Sequence, residues 1–385
     1  MHSSSNFCVA VAFIAGFFGS GVAFAQPEFT QHPATKQISN NSTVVFSATA
    51  PTATNFQWTR NGLPIADSTR STLVIFGATR ADAGAYAVVA ANAVGSATSL
   101  PANLNVAVGN DFGRLSNLSI LTDLTATTTD FTLGTVIGGA NTTGDKPLLI
   151  RAVGPSLAQI NVAGVLVDSK LDLYSGQSVI ATNDDWGGTP ALSAAFAQVG
   201  AFGFLSGSSK DAAIFTTLPP RGGGYTVRVS GAPGATGRVI AELYDATVIT
   251  AFPPQTPRLI NVSVRKQIDA GTTLTAGFVI GGSTAKTVLV RAIGPGLAVF
   301  GVPGLMADPR LELFASGSVS IAINDNWGGD PQLTQAGARV GAFRIENAQS
   351  TDAMLLLTLT PGNYTAEVRG VSGGGAALVE VYEVP

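Results

Sequence analysis

The chain has 385 residues, 45% of them hydrophobic and only 12% charged, with 21 basic against 24 acidic side chains. That composition excludes a disordered chain, which needs low hydrophobicity and high charge, and the balanced charge without a basic run leaves no electrostatic footprint for nucleic acid. One cysteine and two histidines exclude disulfide frameworks, Cys/His zinc sites and His-dependent nucleophile mechanisms.

The first predicted element is an export signal over residues 1–25. Phe7 to Phe18 is an apolar run of signal-core length, and Ala23-Phe24-Ala25 is a small-x-small cleavage pattern before Gln26. The leading MHSSSN lacks Lys and Arg, so the positive end rests on the amino terminus. An uncleaved anchor is the alternative, since Phe7 to Ala25 is nearly of spanning length, but Gly16, Gly19, Ser20 and Gly21 weaken it. Cleavage removes Cys8 and His2, leaving a cysteine-free chain whose single histidine is His32. No later stretch reaches the length of a spanning helix, so the expected location is secreted or cell-surface.

Beyond the signal, short β-branched and aromatic runs alternate with Gly, Pro, Asn and Asp clusters, and long helical periodicity is nearly absent. The pattern predicts an all-β chain of three tandem β-sandwich domains, one followed by two homologous jelly-roll-like repeats. Residues 26–109 form the first. Thr43 to Ala48 (TVVFSA), Phe56-Gln57-Trp58 with Arg60-Asn61-Gly62, Leu73-Val74-Ile75, Ala81 to Tyr86 (ADAGAY) and the Asn92 to Gly95 hairpin follow one another there. This set resembles the immunoglobulin-like I-set family. The resemblance implies a core Trp58 and a tyrosine corner at Tyr86 beside Asp82. The two disulfide positions are taken by Ala48 and Val88, which implies apolar packing in place of a cross-link typically worth about 2–4 kcal/mol.

The remaining chain repeats itself. LLIRAVGPSLA at 148–158 matches VLVRAIGPGLA at 288–298, NDDWGG at 183–188 matches NDNWGG at 324–329, Val199 to Phe202 matches Val340 to Phe343, and Glu242-Leu243-Tyr244 matches Glu380-Val381-Tyr382. The copies run over 114–247 and 258–385, each long enough for an independent core, with a Pro-rich linker at 248–257. Each is predicted to hold about eight strands, among them Leu148–Val153, Val179–Thr182, Ala212–Thr217, Tyr225–Ser230 and Val239–Tyr244. One short helix is expected per copy, started by Thr189-Pro190 or Asp330-Pro331, with Leu192, Phe196 and Val199 on one face. The Leu-x-Leu-Tyr/Phe strand, the NDxWGG turn and Pro361 to Val368 are similar to the bacterial pre-peptidase C-terminal family. That resemblance implies a secreted bacterial β-sandwich used as an accessory module.

Chemistry is sparse. Clustered oxygens in the NDxWGG turns could coordinate calcium, with Asp168, Asp184, Asp185 and Asp211 in one copy and Asp308, Asp325, Asn326 and Asp352 in the other. The plainer reading is Asx-turns with Trp186 and Trp327 plugging the sandwich end. Arg151 and Arg291, inside apolar strands, could clamp a ligand's carboxylate or sulfate. A structural pair with Glu242, Glu380 or a recurring Asp is the favoured reading. Asp82 and Tyr86 serve the sandwich corner, and His32 stands alone. A carboxylate enzyme would need a facing pair; Asp184 with Asp211 could be argued as one, yet their recurrence in the second copy as Asp325 and Asp352 fits structural turns as well. The expectation is an exported, non-catalytic protein of adhesion, matrix or surface assembly with no required cofactor, its partner a protein or glycan at the cell surface. Carbohydrate binding is the alternative, and exposure of Trp186 and Trp327 would favour it.

Overall fold

A computed structural model describes residues 25–109, 111–248, 253–316 and 318–385. Cys8, His2 and all but the last residue of the expected signal lie outside the described residues, as do residues 249–252 of the expected linker.

The N-terminal module contains β1 (Lys36–Ser39), β2 (Ser42–Ser47), β3 (Asn55–Arg60), β4 (Leu63–Pro64), β5 (Thr72–Ala78), β6 (Gly84–Ala91), β7 (Ser96–Thr98) and β8 (Ala102–Ala107). One sheet has the order β1-β8-β6-β3-β4, with β7 on β6, and the second is the β2–β5 pair. Trp58, Phe46, Val44, Leu73 and Leu104 close the core between them. Ala48 and Val88 lie in the same cluster, so the implied disulfide positions are filled by apolar side chains. The Tyr86 hydroxyl donates to the Asp82 carbonyl at 2.6 Å, which is the tyrosine-corner bond expected there.

The first repeat contributes β9 (Arg114–Leu124), β10 (Asp130–Gly138), β11 (Lys146–Val153), β12 (Ser169–Ser175), β13 (Ser178–Asn183), helix α1 (Pro190–Val199), β14 (Ala212–Leu218), β15 (Tyr225–Gly231) and β16 (Gly237–Asp245). The second contributes β17 (Arg258–Ile268), β18 (Leu274–Gly281), β19 (Lys286–Ile293), β20 (Pro309–Ala315), β21 (Val319–Asn324), helix α2 (Pro331–Arg339), β22 (Ala353–Leu359), β23 (Gly362–Gly370) and β24 (Gly375–Glu383). Both helices begin as their sequences predict, the Thr189 and Asp330 side chains accepting from Leu192 and Gln332 backbone N–H groups.

The pairing of these strands differs from the expectation of two independent cores. They form two continuous eight-stranded sheets, β13-β12-β15-β10-β17-β24-β19-β22 and β14-β11-β16-β9-β18-β23-β20-β21, each built half from one repeat and half from the other. The joints are β10–β17 and β9–β18. Gly134 opposes Ser263 in one and Gly277 opposes Ser119 in the other, and each joint shifts register at the matching place, Val136/Ile137 or Val279/Ile280. The repeats are therefore related by a pseudo-twofold axis that exchanges the two sheets. A single apolar cluster runs through both, from Leu115 and Ile150 to Val290 and Val381.

The N-terminal module is seated on the second repeat. Its β2 is buried from Thr43 to Phe46 on both faces, which explains the unbroken apolar TVVF run where a one-faced strand would alternate. The Val45 N–H donates to Thr358 Oγ1 at 2.7 Å, Thr287 Oγ1 to the Thr43 carbonyl at 2.6 Å, and Lys36 Nζ to the Thr358 carbonyl at 2.8 Å. Ala285 N–H donates to the Gln37 carbonyl at 2.7 Å, and the Arg339 guanidinium lies 4.3 Å over the Phe76 ring.

Candidate functional site

The recurring motifs converge at the outer end of each half-sandwich. In the first repeat, Gly154-Pro155 opens a 3-10 turn over Pro155–Ile160. Gly154 is required there because a Cβ would stand 2.3 Å from the Leu166 carbonyl oxygen. The turn aims its backbone at Asp211, which is fully buried. Asp211 Oδ1 accepts from Gly154 N–H at 2.8 Å and Ser156 N–H at 3.2 Å, while Oδ2 accepts the hydroxyls of Ser156 and Ser209. Asp352 repeats the arrangement with Gly294 N–H at 2.8 Å, Gly296 N–H at 3.1 Å and the Ser350 hydroxyl at 2.6 Å. The GPS and GPG motifs thus serve a buried carboxylate in a backbone cradle.

The NDxWGG turns hang from the same aspartates, Trp186 and Trp327 donating their backbone N–H to the carbonyls of Asp211 and Asp352 at 2.9 and 2.8 Å. Asn183 Oδ1, at the end of β13 in one sheet, accepts from Ala213 N–H of β14 in the other at 2.8 Å, and Asn324 accepts from Met354 N–H at 3.0 Å. The turn therefore clasps the edges of the two sheets.

The calcium candidates do not gather into one ligand set. Asp211 and Asp352 are turned into their cradles, Asp184, Asp185 and Asp325 are exposed, and Asp168 and Asp308 are half-buried. Asp185 is neutralised by Lys210 at 2.6 Å. Partial burial, with the neighbouring Asp185 and Asp184 charges, holds the Asp168 carboxyl above its ordinary value against the pull of Lys210. Among the described residues no three His, Cys, Asp or Glu side chains are placed to hold a metal ion.

Behind the clasp lie the two buried arginines. Arg151 opposes Glu242 across β11–β16, and Arg291 opposes Glu380 across β19–β24. Arg151 Nε stands 3.4 Å from Glu242 Oε2, and Arg291 Nη2 stands 2.9 Å from Glu380 Oε2. Two residues on, and so on the same strand face, the hydroxyls of Tyr244 and Tyr382 donate to the other carboxylate oxygens at 2.8 and 2.7 Å. Burial pushes the Glu242 and Glu380 carboxyls up, the facing guanidinium pulling against it. Tyr244 and Tyr382 are pushed up by burial and then by the adjacent carboxylate.

The two arginines differ in what surrounds them. Arg151 makes no hydrogen bond from any of its three guanidinium nitrogens among the described residues. Instead the rings of Phe196, Phe202 and Phe204 enclose it at 4.5, 4.7 and 4.4 Å, and Trp186 packs on Phe196 and Phe204. Arg291 has Phe343 at 4.3 Å and donates from Nη1 to the Phe343 carbonyl at 2.7 Å. The counterparts of Phe196 and Phe204 are Gly337 and Ile345. A cavity of about 190 Å³ lies there, lined by Arg291, Trp327, Leu289, Phe343, Gly337 and Ile345.

Sequence reasoning located the arginines and their glutamates, but missed the phenylalanine cage and the two tyrosines. The tyrosines carried a signal, the Glu-x-Tyr spacing in both copies. Trp186 and Trp327 are each 7% exposed, and their indole N–H groups donate to the carbonyls of Ser206 at 3.0 Å and Asn347 at 3.2 Å. The exposed aromatic face on which the carbohydrate reading depended is therefore not supplied by these residues.

Residues 26–92 match the family described as immunoglobulin domain. The chain thus contains an Ig-like domain, with which the Trp58 and Tyr86 geometry agrees. Among solved structures it is similar to the tandem Ig repeats of Dlar, at 32% identity over 21% of this chain and 48% of that one, with a TM-score of 0.20. The N-terminal Ig1-2 module of the Drosophila receptor protein tyrosine phosphatase DLAR matches at 32% identity over 21% of this chain and 46% of that one, TM-score 0.20. Sidekick-1 immunoglobulin domains 1–5 align over 92% of this chain and 58% of that one at 12% identity, TM-score 0.19. The chain spans about half the length of the solved chains it matches. No curated protein matches it.

Proposed function

We propose that this is an exported, non-catalytic protein of adhesion or surface assembly, in which a rigid double sandwich presents an Ig-like domain to a protein partner. The observation that carries the reading is the seating of that domain. Its β2–β5 sheet is consumed by the second repeat, while the other sheet keeps apolar side chains in the open, Leu63 of β4 at 73% exposure and Leu100, between β7 and β8, at 63%. Because the domain is fixed by its seating, these side chains are held in one orientation toward solvent, which supports a docking role for the open sheet. Among the described residues no helix is long and apolar enough to cross a membrane. The pre-peptidase C-terminal resemblance of the repeats supports a bacterial surface or matrix setting, with the repeats as the frame.

The test is capture of a partner from the producing cell's envelope on immobilised mature protein, repeated with Leu63→Asp/Leu100→Asp. The reading expects a specific partner whose binding weakens at least tenfold in the variant. A protein that recovers no partner and stays monomeric would defeat it.

A further inference from the structure

We propose that the cavity beside Arg291 is a binding site for a small neutral aromatic molecule, which takes the place that the Phe196 side chain occupies in the first repeat. The argument rests on the molecule's own internal comparison. Both half-sandwiches share the buried Arg–Glu–Tyr arrangement, the clasp tryptophan and the helix above it. In the first, the space over the guanidinium is filled by rings, Phe196 and Phe204 standing 4.5 and 4.4 Å from it. In the second, Gly337 and Ile345 stand at those positions, and Met354 in place of Ala213 recovers only part of the volume. The space left is about 190 Å³, and about 150 Å³ is enough to admit a benzene-sized ring. An added Cβ on Gly337 would meet nothing closer than 3.9 Å, so the backbone of α2 has not collapsed into the gap.

The chemistry of the lining selects the class of ligand. Arg291 is 2% exposed, and its Nε and Nη2 have no hydrogen-bond partner of good geometry among the described residues. Phe343 covers the guanidinium at 4.3 Å, and a ring entering the cavity is offered the cation–π contact that Phe196 makes with Arg151. Because Glu380 already neutralises the arginine, an anionic ligand would meet a compensated charge beside a buried carboxylate. A neutral ring bearing one acceptor oxygen fits better. The exposed Thr334, Ala338 and Arg344 stand at the rim of the same cavity, which gives the site an entrance.

Titration of the full-length mature protein with phenol, followed by calorimetry, tests the site, with cyclohexanol as a saturated probe of similar size. The expected result is one saturable site per chain that prefers phenol to cyclohexanol by at least fivefold. Gly337→Phe, and independently Ile345→Phe, should weaken binding at least tenfold with an unchanged circular dichroism spectrum. Phe196→Gly should add a second site in the first repeat. Absence of saturable binding up to millimolar probe, undiminished binding in both filled variants, or equal affinity for cyclohexanol would overturn the proposal.

Discussion

A buried ion pair is held by its partners, and removing one of them strands the other. Arg151, fully buried, and Glu242, 5% exposed, are such a pair, so Arg151→Met should destabilise by about 3–5 kcal/mol. Arg151→Met/Glu242→Leu removes both charges and should recover most of that loss, which denaturant unfolding of the two variants would show. The pair also sets a pH dependence. Burial raises the Glu242 and Glu380 carboxyls above their ordinary 4.5, so in a window above that pH the native state holds protons that the unfolded chain has released. Their contribution to stability is full below that window and is lost as pH rises through the folded values. The double variant should lack one site's share of that decline in melts taken as the pH is raised from 4.5. Asp211 calls for a different expectation. Four donors converge on it, so Asp211→Ala should cost about 2–4 kcal/mol by leaving buried donors unmet. With both its oxygens in use and Asp185 paired to Lys210, removing calcium with a chelator should leave the melting temperature of the wild-type protein unchanged.

At the scale of elements, β9, β10, β17 and β18 decide the architecture. Cutting the chain between repeats would expose two long strands with unpaired backbone groups along β9 and β10. Since the two joints share one register, the edges of a repeat are complementary to a second copy of itself. Residues 114–247 expressed alone should therefore form a twofold dimer, and sedimentation equilibrium that finds a stable native monomer would contradict this. Much of the element structure was legible beforehand. Strands expected at Leu148–Val153, Ala212–Thr217 and Tyr225–Ser230 are found within two residues of those bounds, because β-branched runs between turn residues fix them locally. The joining of the repeats was not legible, because matching two copies says nothing about which edges meet. A weak sign was present in β10 and β18, which carry no Lys or Pro to guard an edge. The cradle at Asp211 was hidden for a related reason: Gly154 and Asp211 are far apart in sequence, and only the fold shows that the Gly-Pro turn and the Asp are one device. The candidate cavity was half visible, since Phe196 faced the core in the first helix and the second copy offered nothing in its place.

At the scale of the whole molecule, the seating of the Ig-like domain makes it part of the frame. The hydrogen bonds around Thr358 and Thr287 are buried, and buried bonds of this kind lock two units together. Calorimetry of the mature protein should show one cooperative transition. Thr358→Val strands the Val45 N–H and should cost about 1–3 kcal/mol, with an early transition for the N-terminal domain separating from the rest. Among the described residues only the second half of the double sandwich carries such a domain, and the same half has Gly337 where the other has Phe196. The matched registers of the two joints also bear on symmetry: a pairing that works identically in both directions is the one that two separate copies of a single repeat would make. Joined in one chain, the halves need not be alike, and a substitution on one face leaves its twin unchanged.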